Sequence, residues 1–181
     1  TCEGYTQAEG YYTQADVREI VARAQARHIT LMPEIEIPGH ALQAVAAVPG
    51  ASCQDADGRP LPVGTANEFC LGAPESLAFF RNVLDELLAL FPDSPYLHTG
   101  GDEAADSHWR QCPRCLAKMR ELGTDHPRVL QKWFMAQVAG LVHARGRTSV
   151  AWADHLELGV PAGQLVHGWH AGESQYAVRH G

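Results

Sequence analysis

The chain has 181 residues, enough for one domain with a buried core, and its 45% hydrophobic and 19% charged content is that of an ordinary globular protein. Its 14 basic and 21 acidic side chains leave a net charge of −7 with no basic stripe, which argues against nucleic acid or a membrane surface as partner. No apolar run approaches the roughly 20 residues needed to span a bilayer.

Residues 1–12 are polar with scattered Gly and Tyr and read as loop. Thr13 with Asp16 three residues on makes a capping box, and Val17, Ile20, Val21 and Ala24 then share one helical face. Ile29-Thr30-Leu31-Met32 is a strand candidate that Pro33 interrupts. Alternation in Glu34-Ile35-Glu36-Ile37 puts the two carboxylates on one face and the two isoleucines on the other, with His40 just beyond Pro38-Gly39. Two readings stay open for this segment: a polar cluster at a strand end, or structural acids paired with arginine. Residues 49–75 hold Gly, Pro, Asn and Asp without periodicity, and excursions of that length are more often functional than idle.

From Glu75 a strong helix carries Leu77, Phe80, Leu84, Leu87, Leu88 and Phe91 on one face and stops at Asp93-Ser94-Pro95. The apolar Tyr96-Leu97 then leads into His98-Thr99-Gly100-Gly101-Asp102-Glu103, a buried strand ending in a tight glycine turn with two adjacent acids. A short helix within residues 109–122 is followed by a polar linker. Leu130, Phe134, Val138 and Leu141 mark another helix, closed by Arg145-Gly146. Two apolar runs, Ser149-Val150-Ala151-Trp152 and Gln164-Leu165-Val166-His167-Gly168-Trp169, lie too close together for a full crossover helix.

Strands alternating with helices predict a parallel sheet. The residues of chemical interest all fall at the carboxyl ends of strands: Glu36 and His40, Asp102 and Glu103, Trp152, Trp169. That is where (β/α) barrels and open parallel sheets build their sites. No glycine-rich nucleotide fingerprint is present, and four strands suggest half of a barrel.

Cys112-Pro113-Arg114-Cys115 has a metal or redox spacing, but a zinc site needs two further ligands and His108 is the only neighbour of the right type. No metal and no cofactor are therefore expected. Cys53 and Cys70 flank the long loop and could bridge it.

Carboxylates beside tryptophans suggest sugar. Ordinary glycosidases hold two carboxyl groups about 5–9 Å apart across the scissile bond, which neighbours Asp102 and Glu103 cannot easily do from one strand end. If one of them is the acid, the nucleophile comes from Glu34, Glu36 or the substrate itself.

The hexapeptide His98-Thr99-Gly100-Gly101-Asp102-Glu103 resembles the His-x-Gly-Gly-Asp-Glu signature of family-20 glycoside hydrolases, the β-N-acetylhexosaminidases. Pro33-Glu34-Ile35-Glu36-Ile37-Pro38-Gly39-His40 resembles the family's Pro-Glu-Ile-Asp/Glu-x-Pro-Gly-His segment. Gly10-Tyr11-Tyr12-Thr13-Gln14 through Arg18-Glu19-Ile20-Val21 resembles the helix before its third strand. Trp109, Trp152 and Trp169 fall where the family has tryptophans.

The resemblance implies a (β/α)8 TIM-barrel catalytic domain of which residues 1–181 are about four central units. It also implies a substrate-assisted retaining hydrolase of terminal N-acetylhexosamine in β-linked glycans. Glu103 would be acid/base and Asp102 would orient the acetamido group. His40 would support Glu103, Glu36 would support Asp102, and Trp152 and Trp169 would line the acetamido pocket. The partner would be an N-acetylhexosamine-containing oligosaccharide or glycoconjugate, with no nucleic acid and no membrane. Secretion or a periplasmic location is favoured by the resemblance alone.

Where the family has Asp-Glu after the tryptophan of its fifth strand, Trp152 is followed here by Ala153-Asp154-His155. The family's first-strand arginine would lie before Thr1, and its seventh- and eighth-strand sugar contacts beyond Gly181. The 181-residue piece is therefore expected to be inactive or unstable alone, with a longer parent as the enzyme. Three rivals remain: a non-catalytic sugar-binding module, a metal-dependent hydrolase using His40, Asp102 and Glu103, and a related disaccharide-releasing glycosidase.

Overall fold

The structure, a computed structural model, describes residues 11–154 and 158–180. Cys2, His155 and most of the expected N-terminal loop lie outside the described residues.

Three parallel strands, β1 (Tyr96–His98), β2 (Thr148–Trp152) and β3 (Leu165–His167), form the sheet in that order. Residues 33–35 run parallel along the free side of β1: Ile35 N–H donates to His98 O at 3.0 Å and His98 N–H to Pro33 O at 2.9 Å. The strand candidate Ile29–Met32 thus forms no ladder, and the alternating segment Glu34–Ile37 pairs only through the single bridge Glu34–His98. Pro33, and Pro38 just beyond Ile37, have no N–H to give a ladder, which keeps pairing from extending past them. The alternation survives: Ile37 is buried at 1% exposure, while Glu34 and Glu36 reach towards the strand-end rim.

Among the described residues six helices accompany the sheet: α1 (Gln14–Gln25), α2 (Leu42–Ala47), α3 (Pro74–Leu90), α4 (Pro113–Glu121), α5 (Pro127–His143) and α6 (Glu173–His180). The capping box at Thr13 forms in both directions with Asp16, the reciprocal arrangement that satisfies two orphan donors. Three helices begin with proline, which fits the first turn because its missing N–H has no helical partner there. Phe80 and Leu84 of α3 and Leu130, Phe134 and Val138 of α5 are buried on the faces that the periodicity marks. On α5 the closing residue of that face is the buried Val142, with Leu141 only half-buried.

Both ends of the long excursion are part of the core, while residues 56–65 between them lie at the surface. Ala51, Cys53, Phe69, Cys70 and Leu71 are fully or almost fully buried. A buried loop must satisfy its backbone groups one by one. Here Leu61 N–H donates to Cys53 O, Cys70 N–H to Ala51 O, Phe69 N–H to Pro38 O and Ala41 N–H to Asn67 O. That irregular bonding has no sequence period, which is why the segment reads as a loop. The Cys53–Cys70 bridge is not formed; both are free thiols, buried together with Cys112 and Cys115.

Candidate active site

The site is built at the carboxyl end of β1. Thr99 anchors the strand end, its N–H and Oγ1 both donating to Val150 O at 2.8 and 3.0 Å. Gly100 and Gly101 then take positive φ of 65° and 110°. At Gly100 the need for glycine is steric as well, since a Cβ would stand 1.8 Å from Glu36 Oε1. The turn is held from α5, where Gln131 Nε2 donates to Gly101 O at 2.9 Å and Arg128 to Ala104 O at 2.7 Å.

This turn separates the two acids. The Asp102 side chain is 13% exposed and that of Glu103 59%. His40 Nε2 sits between them, 3.5 Å from Asp102 Oδ2 and 3.6 Å from Glu103 Oε2. Both His40 and Glu103 hold left-handed backbone angles, φ of 46° and 45°. Such strain in non-glycine residues concentrates where geometry serves a task. The approach is tight: a Cβ on Gly39 would lie 3.0 Å from Asp102 O.

Glu36 reaches under the turn and accepts from Gly101 N–H at 3.0 Å. Burial pushes its carboxyl up to about 8, against the opposing Gly101 hydrogen bond and with help from the Asp102 and Glu34 charges. At neutral pH it is therefore a proton donor next to Asp102. Asp102 Oδ1 is buried and has no hydrogen-bond partner among the described residues. Burial also lowers the His98 pKa, so this 1%-exposed imidazole stays neutral. Its Nδ1 accepts from Gly100 N–H at 3.1 Å.

Beside the acids stands an aromatic wall. Trp152 stacks on His167 with centroids 4.4 Å apart and planes 22° from parallel, tilts against His98 at 4.6 Å and meets Trp169 at 6.1 Å. Trp152 Nε1 donates to Glu34 Oε1 at 3.0 Å. Trp169 remains 45% exposed.

His40, Asp102, Glu103, Glu36, Trp152 and Trp169 all come to this rim. Trp109 does not: it is fully buried and donates to Phe69 O at 2.9 Å. His108 faces Glu68 at 2.6 Å. Asp154, which the sequence marked only as a departure from the family's pattern and gave no role, also reaches this site. Its Oδ2 accepts from Glu103 N–H at 3.0 Å and its Oδ1 from Trp169 Nε1 at 3.4 Å, tying the acid to the aromatic wall. Its place two residues after Trp152, at a strand's carboxyl end, was the clue. His40, Asp102 and Glu103 each offer a ligand atom within 4.8 Å of the others, so these side chains can share either protons or a cation.

Parallel strands with an acidic, tryptophan-walled rim at their carboxyl ends define an α/β protein that keeps its chemistry where (β/α) folds keep theirs. The chain belongs to glycosyl hydrolase family 20, whose catalytic-domain model matches residues 2–181. It is 36% identical over 166 residues to a β-hexosaminidase of Porphyromonas gingivalis, covering 91% of this chain and 21% of that protein. A β-hexosaminidase of Akkermansia muciniphila is 31% identical, over 94% of this chain and 35% of the relative. Among solved structures, a β-N-acetylhexosaminidase from Bacteroides fragilis superposes with a TM-score of 0.85 at 34% identity, over 97% of this chain and 36% of that one. The exo β-N-acetylglucosaminidase of Vibrio harveyi, solved with N-acetylglucosamine, gives 0.75 at 29% identity, over 93% of this chain and 27% of that one. The chain thus spans about a fifth to a third of the curated relatives' length.

Proposed function

We propose that this chain is the central part of a (β/α)8 catalytic barrel that hydrolyses terminal non-reducing N-acetylhexosamine from β-linked glycans. The observation that carries the reading is the divergence of Asp102 and Glu103, adjacent in sequence but one buried and one open, with His40 between them. Two carboxylates so placed do not flank one bond from opposite faces. They suit a reaction in which the substrate's own acetamido oxygen attacks the anomeric carbon.

In the first step the glycosidic C–O bond breaks and Glu103 gives its proton to the leaving oxygen. The acetamido oxygen bonds to the anomeric carbon, forming an oxazolinium ion. Asp102 accepts the acetamido N–H and offsets the positive charge that develops there; its buried, unpartnered Oδ1 is the acceptor such a donor needs. Protonated Glu36 keeps Asp102 oriented, and Trp152 and Trp169 enclose the methyl group. In the second step Glu103 takes a proton from water, whose oxygen displaces the acetamido oxygen. Two inversions leave the β configuration.

The test uses a longer protein that carries the whole barrel. With a chromogenic β-N-acetylglucosaminide, Glu103→Gln is expected to lower kcat by about 10²–10⁴-fold, the range for losing a general acid/base, while substrate still binds. The matching β-glucoside, which has no acetamido group, is expected to turn over poorly even with Glu103 intact. An unchanged rate in Glu103→Gln would favour a sugar-binding role. Loss of activity on chelation, restored by a divalent cation, would favour the metal-dependent reading.

A further inference from the structure

Away from the acidic rim, four thiols meet in the dry interior. Cys53 and Cys70 come from the buried loop, and Cys112 and Cys115 from the start of α4; all four are fully buried. Cys70 Sγ lies 3.5 Å from Cys115 Sγ and 3.6 Å from Cys112 Sγ, and Cys53 Sγ lies 4.0 Å from Cys115 Sγ. All four sulfurs fall within 4.8 Å of one another.

These separations discriminate between chemistries. A disulfide holds its sulfurs at about 2.05 Å, far closer than any of these pairs. A tetrahedron with metal–sulfur bonds of about 2.3 Å has sulfur–sulfur edges of about 3.8 Å, in the middle of the observed range. The sulfurs also stand too close together to straddle a multinuclear iron–sulfur cluster. We infer that Cys53, Cys70, Cys112 and Cys115 form a structural zinc site.

Its surroundings suit a tetrathiolate. Cys112 is the N-cap of α4 and Cys115 lies in its first turn, so the positive end of the helix faces the negative cluster. Gln54 N–H donates to Cys112 Sγ at 3.3 Å. Arg114 sits beside the cluster, donating to Ser52 O at 2.5 Å. The loop reaches α4 because residue 72 is glycine: a Cβ there would lie 2.3 Å from the carbonyl of Arg114. On binding, four thiols release four protons and all four ligand positions are filled by protein, which leaves no open position for chemistry. The two further ligands that the Cys112-x-x-Cys115 pair needs are thus cysteines from the loop, and His108 takes no part.

The site also reaches the rim through the backbone. The loop that carries Cys70 fixes Pro38 through Phe69 N–H and Ala41 through Asn67 O, on either side of His40. The zinc therefore acts as a clip that holds the His40 turn in place without touching substrate.

The purified protein, prepared without chelators, is expected to hold about one zinc ion per chain by elemental analysis, as a closed four-thiolate site requires. Cys112→Ser/Cys115→Ser should lose it, and His108→Ala should keep it. Should the double variant fail to fold, cobalt exchanged into the wild-type protein reads the same site, with the intense visible bands and thiolate charge-transfer absorption of tetrahedral sulfur coordination. Metal-free protein with four titratable thiols or with disulfides among these cysteines would overturn the inference. So would bound iron in place of zinc, or cobalt spectra without thiolate absorption.

Discussion

Two polar clusters lie on either side of the segment that carries His40, and they differ in almost every physical respect. The rim cluster of His40, Asp102, Glu103 and Glu36 is half open, places three carboxyl groups close together, and keeps two residues in strained backbone angles. The sulfur cluster is wholly buried, its loop backbone is hydrogen-bonded, and its four like ligands converge on one point. Groups left crowded and partly unmatched cost stability and are retained for what they do to a substrate. Groups that match each other inside the core contribute stability and do no chemistry. Mutations should therefore split cleanly between stability and turnover.

The largest expected effect is at the sulfur cluster. Gly72→Ala forces a Cβ into the Arg114 backbone, where neither chain can yield cheaply. It should cost about 3 kcal/mol or more in unfolding free energy, at the upper end for overpacking, and release zinc. An unchanged melting temperature would break the comparison.

At the rim the pattern should reverse. Asp102→Asn is isosteric and removes one of the crowded charges. We expect kcat on the N-acetylglucosaminide to fall by about 10²–10³-fold in the full barrel, with a melting temperature equal to or above that of the parent. A marked loss of stability would show that Asp102 is structural instead.

The smallest effect sharpens the electrostatics. Glu36 is pushed up to about 8 in the folded chain from 4.5 unfolded, mainly by burial. Below pH 4.5 both states hold the proton and no stability is lost. As pH rises from there to 8, only the unfolded state releases it, so folding weakens across that window and levels off above it. Glu36→Gln keeps a donor towards Asp102 and has nothing to ionise. Its melting temperature should match the parent's below pH 4.5 and exceed it by a margin that widens up to pH 8, reduced by solvent screening of this half-buried carboxyl. A constant gap between the two across that range would refute the assignment.

The sequence by itself determined the helices around Val17, Phe80, Cys115 and Phe134, the alternation of strands with helices, and the site motif, but not α2. Amphipathic periods around Phe80 and Phe134 and the capping box at Thr13 are local, and local chemistry survives translation into structure. The Gly-Gly turn with its two acids was legible because only glycine tolerates those angles, and the resemblance to one family then supplied the roles. Only the tertiary structure decided the rest. Prolines cut the first strand to a single bridge, a balance between local sterics and pairing that the alternation of Glu34 to Ile37 could not reveal. Asp154 became a partner of Glu103 through a hydrogen bond spanning 51 positions. The two ends of the long loop turned out to be core, which the sequence could not show because their bonds are made singly, without a period. Most of all, Cys53 and Cys70 lie far from Cys112 in sequence, at separations of 59 and 42. Ligand geometry depends on where backbones cross, and here a missing Cβ at Gly72 lets them cross.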